Sequence, residues 1–306
     1  MDETISKLIN NISPPRNIET INIVCDSGAY NGGYLYGMLL YMAELENKKY
    51  IQIDKISGSS IGSLLGTCFI LNKLPLVYTY MTRIIACYRR SHCLRDFKGL
   101  VQELIQQLDE NDYQKLNNRM FINYYDIHQC KEVIQSTYTS NKDIEKYILN
   151  STFIPFFMNG QYSNDGYIDG ASPYIFNERT VDDTKILFFK LTQYGKLKNM
   201  LHIRGELNFE QRIIEGILDV HEFYMKQQPT IFCSWVNHWK LQDYIVFRIR
   251  RILWLIVVCI LYVCSKCKSY IPSYIITKCT SNRLFSVLSE HLTYLYKDLF
   301  VLFYNS

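Results

Sequence analysis

The chain has 306 residues, 48% hydrophobic and 20% charged, with a formal net charge of +4. That balance excludes a disordered chain and fits one large globular domain or two modest ones, and so small a net charge gives no reason to expect nucleic acid as a partner. With 14 Gly and 7 Pro among 306 residues, long low-complexity linkers are not expected either.

Residues 1–18 are taken as an N-terminal tail. They carry acids early and no apolar core of a secretory signal, so the protein is expected to remain inside the cell. The ten cysteines show no framework of regular spacings and are expected to be reduced thiols; one Cys-x-x-Cys occurs, Cys264 to Cys267.

Thr20 to Cys25 has the make-up of a short buried strand. A loop of small and polar residues follows, Asp26 to Gly33, and then Leu35, Met38, Leu39, Met42 and Leu45 recur at helical spacing. A second strand, Ile51 to Ile56, runs into Ser57-Gly58-Ser59-Ser60-Ile61-Gly62, after which Ile61, Leu64, Leu65, Cys68 and Phe69 mark one face of a buried helix. Two strands joined through a helix imply a parallel pair in an α/β sheet. Further helices are predicted at 76–89, 97–108, 131–138 and 209–225, the last with Asn208 as N-cap. Phe153 to Ile168 predicts a β-hairpin turning at Asn159-Gly160 or Asn164-Asp165-Gly166, and Lys185–Leu191 predicts a core strand.

Three short elements carry candidate chemistry. Gly58-Ser59-Ser60-Ile61-Gly62 fits G-x-S-x-G, in which a serine on a tight strand-to-helix turn projects its hydroxyl away from the sheet. The flanking glycines, Gly58 and Gly62, let strand and helix backbones approach without a Cβ clash. The loop from Asp26 to Gly33 also lies between strand and helix, where backbone N–H groups are free to stabilise an oxyanion. It contains neither G-x-x-x-x-G-K-[ST] nor G-x-G-x-x-G, the phosphate-binding patterns. Tyr167-Ile168-Asp169-Gly170-Ala171 ends a short apolar strand in an acid, which could bring a carboxylate beside a serine on another loop. Taken singly, each element is equally consistent with an ordinary turn.

In this order the three elements resemble the patatin-like phospholipases, whose signature is a glycine-rich loop (G-G-G-x-[KR]-G), then G-x-S-x-G, then D-G-[AG]. The resemblance covers residues 20–195. It implies a three-layer α/β/α patatin-like fold with a mostly parallel central sheet at residues 19–230, followed by a helical region at 231–306. It also implies Ser60 as nucleophile, Asp169 as its base without a histidine, an oxyanion hole at Gly28, Ala29 and Tyr30, and motif positions at Gly32, Gly58, Gly62 and Gly170. The implied activity is hydrolysis of phospholipid or acylglycerol esters through a seryl acyl-enzyme. Ser27, Ala29 and Asn31 depart from the pattern, where the family has two glycines and a basic residue. A catalytically weak or inactive lipid-binding relative is therefore the alternative. None of His92, His128, His202, His221, His238 or His291 sits in a triad motif, and no metal or cofactor motif occurs, so a cofactor-free, metal-independent enzyme is expected.

Beyond residue 230 the composition changes. From Lys240 to Arg283 eight basic residues face a single acid, Asp243. Within this stretch Ile252 to Cys264 are 13 consecutive apolar or aromatic residues, preceded by Arg248, Arg250 and Arg251 and followed by Lys266 and Lys268. A spanning helix needs about 20 such residues. A buried helix, a helix lying in the membrane interface and a single-pass span all stay open. A membrane surface met through residues 245–270, with the basic flanks on lipid headgroups, is the expected partner, and the sequence does not define the oligomeric state.

Overall fold

The computed structural model describes residues 2–91, 97–155, 158, 161–176, 184–192 and 209–270. The protein is a mixed α/β molecule built on a seven-stranded sheet of order β4-β3-β2-β1-β6-β7, with β5 added against β3. The strands are β1 (Glu19–Cys25), β2 (Ile51–Ser59), β3 (Met120–Asp126), β4 (Lys131–Gln135), β5 (Tyr167–Asp169), β6 (Lys185–Phe189) and β7 (Cys233–Trp235). The four central strands, β3, β2, β1 and β6, run parallel, whereas β4, β5 and β7 pair antiparallel at the periphery.

The helices are α1 (Asp2–Ile9), α2 (Gly32–Asn47), α3 (Ile61–Ile70), α4 (Leu74–Ser91), α5 (Phe97–Ile105), α6 (Asp112–Leu116), α7 (Asn141–Ser151), α8 (Phe209–Lys226) and α9 (Leu241–Tyr270). Residues Ile21 to Cys25 are buried without alternation, as expected for a central parallel strand covered on both faces. Ile21, Ile23 and Cys25 join the main core with α2, α3 and α8. Val24, Ile186 and Phe188 point the other way, into a smaller cluster closed by Phe176, Val236 and Phe247. Two apolar layers on opposite faces of one sheet make the arrangement compatible with three layers. Helix α2 is buried nearly all round, and its Gly37 lies so close to Ile213 of α8 that a Cβ there would strike the Ile213 carbonyl.

Several expectations need correction. The stretch from Lys131 is strand β4, not a helix; its β-branched Val133 and Ile134 pair with Tyr124 and Asn123 across an antiparallel ladder. The expected hairpin is reduced, among the described residues, to one antiparallel bridge, Asn164 to Tyr167. Asn164-Asp165-Gly166 is a turn with φ of 50° at Asp165 and 86° at Gly166, but β5 after it pairs with β3, and Phe153–Pro155 is irregular. Positions 159–160 and Asn208 lie outside the described residues. The first 18 residues are not simply a tail, because α1 buries Ile5 and Ile9 in the main core. The sheet also continues past residue 230, since β7 pairs with β6. Among the described residues, no helix is long and apolar enough to cross a membrane.

Candidate active site

The register of three strands brings the candidate residues together. Ser59 on β2 lies opposite Asn123 on β3, and the next residue of β3, Tyr124, lies opposite Asp169 at the end of β5. Asp169 therefore reaches the turn where β2 becomes α3. Ser60 sits on that turn with φ 55° and ψ −127°, a conformation that non-glycine residues rarely adopt and that costs about 1–3 kcal/mol. The turn is tight enough to require glycine on both sides: a Cβ on Gly58 would strike the Gly62 carbonyl, and one on Gly62 would lie 2.5 Å from the carbonyl oxygen of Cys25.

Hydrogen bonds hold the strained turn. The Ser60 amide donates to Ser151 Oγ at 2.9 Å, and Ser151 Oγ donates to the Asn123 carbonyl at 2.7 Å. Ser63 Oγ donates to the Ser60 carbonyl at 2.6 Å. The Ser60 side chain lies close enough to the Asp169 carboxylate to favour its ionised form. That carboxylate also accepts the Ala171 amide at 2.7 Å and Ser59 Oγ at 3.4 Å. Burial raises Asp169 to about 6; Ser60 and the hydrogen bonds from Ala171 and Ser59 oppose the shift, and the charge of Asp26 adds to it. A carboxyl in that range is ionised at neutral pH yet basic enough to take a proton from a hydroxyl.

The loop after β1 lies beside this pair. Ala29–Asn31 form a 3-10 turn that runs directly into α2, so the amides of Gly28, Ala29 and Tyr30 lie at the positive end of a helical segment. Ser27, Ala29 and Asn31 each have a defined place. Ser27 Oγ donates to the Ala171 carbonyl at 2.5 Å, tying this loop to the Asp169 loop. Ala29 takes φ 42°, where its Cβ is a steric cost. Asn31 Nδ2 donates to the Leu191 carbonyl at 2.9 Å. The buried Arg212 of α8 reaches the same turn: its Nη1 donates to the Tyr30 carbonyl at 2.7 Å and to Asn31 Oδ1 at 3.1 Å.

Helix α9 crosses this assembly. Arg250 holds the buried Asp26 with both terminal nitrogens, Nη2 to Oδ1 at 2.6 Å and Nη1 to Oδ2 at 3.0 Å. The same guanidinium donates to Thr192 Oγ1 at 2.7 Å and to Ser172 Oγ at 3.2 Å. Arg251 pairs with Glu132 on β4, and Trp254 Nε1 donates to the Asp169 carbonyl at 2.8 Å. Two of the three arginines read as headgroup contacts thus point inward, and only Arg248 is exposed. The sequence signal for Arg250 and Trp254 was their four-residue spacing across the start of the apolar run, which a membrane reading absorbed.

The histidines do not join this network among the described residues. His221 pairs with the Tyr41 hydroxyl at 2.9 Å, and His128 packs beside Gly166. His92, His202 and His291 lie outside the described residues. No cluster of His, Cys, Asp or Glu among the described residues is placed to hold a metal ion. In comparison with known proteins, no family model, no curated protein and no solved structure matches the chain.

Proposed function

We propose that this protein is a serine-dependent lipid acyl hydrolase that cleaves ester bonds of phospholipids or acylglycerols. The observation that carries this reading is Ser60, strained at φ 55° between strand and helix, on the same turn whose Ser59 hydroxyl donates to the buried Asp169 carboxylate. In the reaction Ser60 Oγ attacks the ester carbonyl carbon and passes its proton to Asp169. The tetrahedral oxyanion is met by the amides of the Gly28–Tyr30 turn, each such donor being worth roughly 3–4 kcal/mol in the transition state. Collapse expels the alcohol, which takes the proton back from Asp169, and leaves the acyl group on Ser60. Water, deprotonated by Asp169, then attacks that ester and releases the fatty acid.

The lipid substrate class rests on the motif order and on the apolar helix that lies across the site. Residues 245–270 bring the enzyme to a membrane surface inside the cell. The second reading, a lipid-binding protein with little or no activity, is favoured by one observation: Ser60 is only 5% exposed beneath its neighbours.

A fluorophosphonate probe separates the two, because it reacts only with an activated serine. Wild type should label, Ser60→Ala should not, and Asp169→Asn should label far more slowly; fatty-acid release from phospholipid or diacylglycerol should follow the same order. A wild-type protein that resists the probe, or a Ser60→Ala variant that labels equally, would overturn the assignment.

A further inference from the structure

Helix α9 has two apolar faces, which explains why its sequence is an unbroken apolar run. The inner face, Phe247, Trp254, Val258 and Leu261, is buried against the domain. The outer face carries Ile245, Ile249, Ile252, Ile256, Ile260 and Val263, all at least 46% exposed and spaced three or four residues apart. Such a continuous stripe is large for a surface that meets only water. Exposed Lys240 and Arg248 lie on the same helix or at its start, and Asp243 is the only acid from Lys240 to Arg283. An apolar stripe with a cationic border matches an anionic lipid surface.

The inner side of this same helix is bolted to the site, through Arg250 to Asp26 and through Trp254 to the Asp169 carbonyl. Ser60 and Asp169 are each only 5% exposed. We propose that α9 is a lid whose outer face docks on an anionic bilayer, and that docking draws its inner face away from Asp26 and Asp169 and opens the dyad. This rests on the hydrolase reading of Ser60 and Asp169. The physical logic is differential binding: lipid takes up the outer stripe in either position, but reaches the inner apolar face as well once the helix has lifted, so it favours the open form.

A pair of thiols on the molecule reports the lid position. Cys259 on α9 and Cys130 in the turn between β3 and β4 are both free, and Cys259 lies near enough to push the Cys130 thiol up. A low-molecular-weight disulfide oxidises such a pair, one protein disulfide forming as the reagent is reduced to two thiols. The test compares wild type with Ile252→Glu/Ile256→Glu, using vesicles of phosphatidylcholine with or without phosphatidylglycerol. Three readouts are taken: vesicle flotation, the yield of the Cys130–Cys259 disulfide by peptide mapping, and the rate of fluorophosphonate labelling at Ser60.

Wild type should float with anionic vesicles, its disulfide yield should fall, and its labelling should rise roughly tenfold as the open fraction rises by that factor. The double variant should keep the wild-type labelling rate in buffer and lose all three vesicle responses. Prior oxidation should abolish the vesicle-induced rise, and a reductant should restore it. Undiminished flotation of the double variant would overturn the docking face. Flotation of wild type with unchanged disulfide yield would overturn the lid. A dimer broken by the double variant, with no flotation, would assign the stripe to a second copy instead. Absence of labelling in every condition would defeat the hydrolase reading, while flotation and disulfide yield would still decide the lid.

Discussion

Asp169 is under opposed demands. As the proposed base it must be ionised, yet it is buried, and burial disfavours the charge. Its rise to about 6 has two consequences of known sign. Because the ionised form accepts the proton of Ser60, kcat/KM should rise with pH through about 6 and level off above it, which a pH–rate profile will read. Stability runs the other way. A carboxyl raised from 3.8 to about 6 on folding contributes its full share below pH 4 and loses it as the pH passes 6. Asp169→Asn, which cannot ionise, should therefore be more stable than wild type at pH 8, by up to about 3 kcal/mol. Denaturant titrations should show that advantage shrink between pH 6 and 4. At this scale the tight turn at Ser60 was legible in the sequence, because it demands glycines at fixed offsets. Ser151, which accepts the Ser60 amide, was not, for it stands 91 positions away and has no motif of its own.

Elements act through the residues they insert into one another. Helix α8 was predicted from its apolar period, but nothing in that period says that Arg212 turns inward to hold the Tyr30 carbonyl and Asn31. A buried cationic donor of this kind contributes about 1.5–3 kcal/mol per hydrogen bond. Arg212→Met should keep the volume but free the turn proposed to hold the oxyanion, lowering kcat about tenfold with a much smaller change in KM if that turn meets the developing charge rather than the ground state. Arg212→Lys should recover part of that loss; steady-state kinetics on a soluble ester checks both. Element type failed for β4 because five residues with two β-branched side chains fit a short helix turn or a strand equally well until β3 supplies a partner. The same limit reduced the expected hairpin to the Asn164–Tyr167 bridge: the strand after the turn exists, but its ladder partner is β3.

The whole molecule shows why the ends matter. Ile9 is fully buried beneath the main core although it belongs to a stretch that reads as a polar tail. Ile9→Ala should cost about 2–5 kcal/mol, seen as a lower thermal midpoint, with the Ser60 labelling rate unchanged under conditions where the protein remains folded. At the other end, α9 joins both apolar clusters and bonds to the loops of the candidate site. By itself the sequence determined what is local: the α/β alternation, the elbow at Ser60, the helix of residues 209–225 and the apolar run at Ile252. Spacing and glycine placement act within a few residues, so they are visible without a fold. Only the tertiary structure decided that Asp169 sits beside the Ser60 turn, that Arg212 turns inward to hold Tyr30 and Asn31, and that Arg250 and Trp254 face the candidate site. Those depend on strand register and helix orientation, which are chosen by the free energy of burying all these surfaces together.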